Sequence, residues 1–173
     1  EWREQGLGNV HMSVNMSGRS IIAETFVDDV LDVLGREDMR PEHLGMEITE
    51  TAFMSNMAEA SRAIAALSEQ GIQIYLDDFG TGYSSLYYLH TMPIASLKID
   101  KSFIDAINAP LNASNELVKT VLTLASGLGM ATVAEGVETR EQLDFLAENG
   151  CRIIQGYIFS QALSGSDFAT YLK

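Results

Sequence analysis

The sequence predicts an α/β fold: a parallel (β/α)8, TIM-like barrel with about six of its strand–helix units in this chain. Short apolar runs alternate with segments whose apolar residues recur at helical spacing. Capping and glycine signals fall between the two kinds of segment. Polar residues close one run after another: Asn15, Glu47, Asp77 with Asp78, Lys98, Glu135 and Gln155. An open doubly wound sheet, the competing architecture, concentrates its site at one switch point. A barrel brings every strand end round one mouth, and functional groups spread over many strands favour it.

The elements follow in order. Residues 10–15 form the first predicted strand, and Phe26, Val27, Val30, Leu31 and Leu34 mark an amphipathic helix. A strand over 44–48 precedes the helical stripe Ala60, Ile64 and Leu67, which Gly71 closes. The third strand covers 72–77. Pro93 lies in the connection to a strand over 95–99, and Pro110 in a polar loop over 108–115. Leu117, Val121, Leu124 and Leu128 make the next helical face, ended by Gly127 and Gly129. A strand over 131–134 leads to Thr139 and Gln142, spaced as a capping box, and Asn149-Gly150 stops that helix. The last strand spans 152–155. No repeat, low-complexity tract or linker divides residues 1–173, so one domain is expected.

Composition narrows the function classes. Of 173 residues, 46% are hydrophobic, enough for one sizeable core and too many for a disordered chain. No apolar run approaches the ~20 residues of a membrane span, and residues 1–8 lack the apolar segment of a signal peptide. The expected location is the cytoplasm, alone or as the cytoplasmic part of a membrane-anchored protein. A single cysteine, Cys151, suits a reducing compartment and reads as a small buried apolar residue. With 24 acidic against 11 basic residues the formal charge is −13, which argues against binding DNA, RNA or anionic membranes. A phosphate-binding site in such a chain calls for metal ions to supply positive charge.

The sharpest chemical signal is Asp77-Asp78-Phe79-Gly80-Thr81-Gly82 after a strong strand. Adjacent carboxylates at a strand end repel unless a cation lies between them, and the first can bridge two ions while the second binds one. The glycines permit a tight loop whose N–H groups approach an anion. An exposed acidic turn is the plain alternative. Glu47 shares a strand face with Thr49, whereas Glu50 at the strand exit either anchors a neighbouring loop or sits in a helical first turn. Glu135, at the end of a small buried strand, is costly there unless paired or metal-bound, and Glu138 reads as a surface residue. Asn15 offers a neutral oxygen suited to a hard metal, or a turn residue. Lys98 alternates with apolar neighbours, with Asp100 two residues on; it either serves a carboxylate cluster or makes an interior ion pair. His11, His43 and His90 show no metal-ligand spacing, and the chain has no P-loop, dinucleotide fingerprint or Ser-His-Asp arrangement.

Six segments in order resemble the EAL domain family of bacterial cyclic di-GMP phosphodiesterases. Val14-Asn15-Met16-Ser17 is similar to V-N-x-S, Glu47-Ile48-Thr49-Glu50 to E-x-T-E, and DDFGTGYSSL over 77–86 to the family's most diagnostic stretch. Lys98 to Phe103 resembles K-I-D-x-x-F; Ala134 to Glu138 and Gln155-Gly156-Tyr157 complete the series. The resemblance implies two Mg²⁺ or Mn²⁺ ions. Asn15, Glu47 and Asp77 would hold one, and Asp77, Asp78 and Glu135 the other. Lys98 would orient the attacking water, and Glu135 would accept a proton. Glu50 would anchor the loop after Asp78; Asp100 and Gly156 would meet the substrate, and Gln155 would lie by the second metal or the substrate. The implied product is linear pGpG, and the implied setting is a homodimer fused to sensory or GGDEF domains.

Two features depart from the family pattern. The Glu-Ala-Leu tripeptide and the arginine after it do not occur in the chain, and Ala162 stands where proline often follows Gln-Gly-Tyr. A closed barrel typically takes ~250 residues. The expectation is therefore an N-terminally incomplete domain, poorly active by itself, in which residues 1–3 belong to the helix before the first strand. A non-catalytic cyclic di-GMP receptor is the alternative.

Overall fold

The computed structural model describes residues 2, 6–7, 10–80, 86–107 and 113–172, with side chains omitted at 86, 113 and 114. Strand β1 (Met12–Met16) is followed by helices α1 (Gly18–Ile21) and α2 (Phe26–Arg36). Strand β2 (Leu44–Thr49) leads into α3 (Glu50–Ser55) and α4 (Met57–Glu69). Then come β3 (Gln73–Phe79), α5 (Leu86–Thr91), β4 (Ser96–Ile99), α6 (Lys101–Asp105) and α7 (Ala113–Gly127). Strand β5 (Ala131–Ala134), α8 (Arg140–Glu148), β6 (Ile153–Ile154) and α9 (Gly165–Tyr171) complete the order.

All strand pairs are parallel, and the sheet runs β1 to β6 in chain order. A doubly wound sheet reverses its order at a switch point. This one does not, and it curls into a half-barrel. Alternation along the strands sorts the side chains. Ile48, Ile74, Leu76, Leu97 and Ile99 are fully buried and join the core with Ala60, Ile64 and Leu67 of α4. Each such aliphatic side chain contributes about 1.5–3 kcal/mol by leaving water. The residues between them, Glu47, Tyr75, Asp77 and Lys98, line the barrel's inner face.

Four expectations need adjustment. The predicted face of α7 is rotated: Leu117 is 43% exposed, whereas Val118, Val121, Leu122 and Ala125 are buried. This helix is apolar on most sides, so periodicity admits two neighbouring stripes, and packing on α6, β4 and β5 selects one. The predicted polar loop over 108–115 ends early, because residues 113–115 are already helical, while 108–112 lie outside the described residues. The last strand contracts to two residues, since among the described residues only β5 pairs with it. Of the helix expected over residues 1–3, only Trp2 is described, and it lies in a turn. The capping box at Thr139 and Gln142 is present in full, and Cys151 is buried. Among the described residues no helix is long and apolar enough to cross a membrane.

The loops that follow β5 and β6 touch through their backbones. Val137 N–H donates to Gln155 O (3.1 Å), Ile158 N–H donates to Val137 O (3.0 Å), and a Cβ at Gly156 would strike the Val137 main chain. Overpacking against rigid backbone costs about 1–3 kcal/mol. Gly156→Ala should lower the free energy of unfolding by that amount, measured by urea denaturation.

Candidate functional site

The site grows from one buried cation. Lys98 Nζ lies 2.7 Å from Glu135 Oε1 and 3.3 Å from Asp77 Oδ1, and it also donates to Glu47 Oε2. These side chains stand on β2, β3 and β4 and just past β5, all at the C-terminal rim of the sheet. Burial alone would push the Lys98 ammonium down. Hydrogen bonds to Glu135 and Glu47, with the charges of Glu135 and Asp77, outweigh that and hold it above the usual lysine range. Glu135 is pushed up, first by burial and further by Asp77 and Glu47, with Lys98 pulling the other way.

A bulge brings the second aspartate to the same rim. Leu76 pairs with Leu97 and Phe79 with Ile99, so two residues of β3, Asp77 and Asp78, face the single residue Lys98. Asp78 takes a left-handed backbone (φ 54°), and its N–H donates to Asp77 Oδ1 (3.0 Å). Its carboxyl is pushed up by burial, then by the charges of Asp77 and Asp100, while Lys98 opposes them. Asn15 joins by register: β1 sets it beside Glu47, on an exposed stretch of strand.

Side chains from neighbouring units tie the rim loops. Glu50, 1% exposed, begins α3, and its Oε2 accepts from Gly80 N–H (3.2 Å). Its Oε1 is buried without a hydrogen bond among the described residues. Asp100 caps α6, accepting from Ser102 N–H (3.0 Å) and from the Ser102 hydroxyl, and these bonds hold its carboxyl below the usual aspartate range. Lys101 reaches Glu138 (2.9 Å) and Asp105 (2.8 Å), bracing the loop that carries Glu135. Sequence reasoning assigned Lys101 no part in the site. Its i,i+4 spacing to Asp105 signals a local helical pair and nothing of the reach to Glu138. Gln155 and Gly156 line a cavity of about 440 Å³ with Lys101, Glu138, Tyr157 and Gln161. Residues 81–85 of the diagnostic stretch lie outside the described residues.

Three carboxylates share one ammonium and Asp78 stands beside them, all hard oxygen donors, which suits Mg²⁺ or Mn²⁺ chemically. Among the described residues no three His, Cys, Asp or Glu side chains surround a point able to hold a metal ion. The oxygens close on Lys98 instead.

A parallel half-barrel with an acidic cluster at the C-terminal ends of its strands defines a TIM-barrel-like protein with its site on that rim. The chain belongs to the EAL domain family, whose model matches residues 1–162. It is 37% identical over 168 residues to the cyclic di-GMP phosphodiesterase NbdA of Pseudomonas aeruginosa, covering 97% of this chain and 21% of NbdA. The solved PaMucR phosphodiesterase in complex with c-di-GMP matches with TM-score 0.92 at 35% identity, covering 96% of this chain and 67% of that one. Klebsiella pneumoniae BlrP1, solved with manganese and cyclic di-GMP, matches with TM-score 0.83 at 29% identity, covering 92% and 41% respectively. The chain spans between 21% and 31% of the length of the curated relatives compared.

Two outcomes are expected. Lys98→Met leaves Glu47, Asp77 and Glu135 with no buried cation, so unfolding in urea at neutral pH without divalent metal should cost about 3–5 kcal/mol less. That loss should shrink as acid protonates the carboxylates. Asp100→Ala should remove about 1 kcal/mol at pH 7, as for other N-cap deletions. Because the folded-state carboxyl is depressed, its contribution is present above the unfolded value of about 3.9 and lost as pH falls through the folded one. Denaturation curves of wild type and variant should therefore converge under acid conditions.

Proposed function

We propose that this chain carries the metal- and substrate-binding rim of a phosphodiesterase that hydrolyses cyclic di-GMP to linear pGpG with two Mg²⁺ or Mn²⁺ ions. The observation that carries the reading is the carboxylate cluster round Lys98, gathered from four successive strand–helix units. Asn15, Glu47 and Asp77 would hold one ion, and Asp77, Asp78 and Glu135 the other. When bound, such ions lower the pKa of a coordinated water and stabilise the leaving oxygen. Lys98 competes with a divalent cation for the Glu47 and Asp77 oxygens. Freed from one of them, its ammonium orients the attacking water. Glu135, already held above the usual carboxylate range, accepts that water's proton. Glu50 fixes the loop after Asp78 through Gly80, while Asp100, Gln155 and Gly156 bound the substrate on the same rim. The phosphodiesterase name of NbdA and the cyclic di-GMP and manganese bound in the PaMucR and BlrP1 structures support this reading. The greater length of the curated relatives leaves room for the sensory or GGDEF domains proposed to accompany it. A homodimer is proposed on the family resemblance alone.

The test pairs calorimetry with anion-exchange chromatography, using this chain and the full-length gene product. Cyclic di-GMP binding should require Mn²⁺ and vanish in Glu47→Ala and Asp77→Ala, and the full-length protein should release pGpG. Binding that persists in EDTA, with no turnover by either protein, would establish the second reading, a non-catalytic receptor. The observation on the side of that alternative is that Lys98 engages the Glu47 and Asp77 oxygens, two of the proposed ligands.

A further inference from the structure

We propose that Tyr75 is a positioning residue: its ring, laid across Gly45 and tied to His11, sets β1 and therefore Asn15 against the strands that carry Glu47 and Asp77. This inference rests on the reading that those three residues share an ion. Tyr75 and Asp77 stand on the same face of β3, and β2 separates them from β1. Position 45 of β2 carries no side chain. A Cβ there would collide with the Tyr75 ring and would come within 2.8 Å of His11 Nε2. The phenol therefore crosses β2 where only hydrogen leaves room, and it reaches the residue just before β1.

Its hydroxyl lies 2.7 Å from His11 Nε2 and donates to Gln73 Oε1 (2.6 Å). The two rings meet with centroids 5.9 Å apart. His11 Nδ1 lies 3.2 Å from the Glu42 carbonyl, in the turn that feeds β2. One side chain thus links the starts of three strands. The strand it steadies needs the link, because only Met16 among the β1 residues is buried. Among the described residues, the ladder to β2 and the Tyr75 tie hold the rest of β1. Asn15 pairs with Glu47, and Glu47 pairs with Tyr75, so movement of the strand start is felt four residues on at Asn15.

The test is a double-mutant cycle in Mn²⁺ affinity, read by electron paramagnetic resonance. Tyr75→Phe keeps the ring and deletes the tie, and it should weaken Mn²⁺ binding about two- to tenfold, the factor of one hydrogen bond. In the Asn15→Ala background the same change should have no further effect. An unchanged affinity, or full additivity of the two variants, would overturn the proposal. A metal-free readout separates it from the functional reading: Tyr75→Phe should shift the Asn15 side-chain amide resonance and speed hydrogen exchange in β1. Should wild type fail to bind Mn²⁺, the metal reading falls, and an unmoved Asn15 resonance would independently overturn the role of Tyr75.

Discussion

The rest of the rim depends on a buried ammonium held among three carboxylates. Glu47 and Asp77 are buried at inward positions of β2 and β3, and Glu135 stands half-buried just past β5. Like charges in that arrangement would splay the strand ends; Lys98, on the strand between β3 and β5, draws them together. At 4 Å each attraction is worth about 4 kcal/mol at an effective dielectric of 20. Desolvation costs several kcal/mol per ion, so the cluster is a poor source of net stability and a strong determinant of geometry. Removing the lysine alone is far worse than replacing the whole cluster with apolar groups, because three crowded acids, two of them buried, would remain unpaired.

Around that centre, fixed backbone donors and acceptors are met by side chains from the adjacent unit. Glu50, from the β2 unit, holds Gly80 after β3. Gln142 of α8 accepts from Glu138 and Thr139 N–H groups while its amide nitrogen donates to the Ile104 carbonyl at the end of α6. Lys101 spans the same gap to Glu138, and the Gly156 backbone lies on Val137. Each tie crosses one strand–helix boundary, so the rim is a chain of neighbours. A parallel singly wound sheet makes this possible, since every loop at the C-terminal edge lies beside the loop of the next unit.

The alternation of elements and the identity of the rim residues were legible because buried strands are nearly all apolar. A polar residue at their end stands out, as Glu47 does between Met46 and Ile48 and Lys98 between Leu97 and Ile99. Less legible was anything requiring two distant segments. The face of α7 depended on what packed against it, and Lys101 disclosed only its local partner. Tyr75 is one unremarked position of the predicted strand over 72–77, since its role exists only where Gly45 and His11 leave space and a partner. The central place of Lys98 among the acids was one of two readings its spacing allowed, and spacing could not choose between them.

Asp78 exposes the limit of periodicity most clearly. Consecutive residues on a regular strand point to opposite faces, so an Asp-Asp pair should send one carboxylate inward and one into the helical layer. Burying an unpaired carboxylate there would cost more than the fold could sustain. The extra residue in β3 and the left-handed backbone at Asp78 resolve the conflict by re-aiming the second acid along the rim. A left-handed conformation costs about 1–2 kcal/mol for a residue with a Cβ, and aspartate is among the side chains that tolerate it best. The Asp78 N–H bond to Asp77 Oδ1 offsets part of that cost and orients the first carboxylate toward Lys98 as well. The strain is therefore local: it sets two hard oxygen donors beside one cation within a single turn of chain.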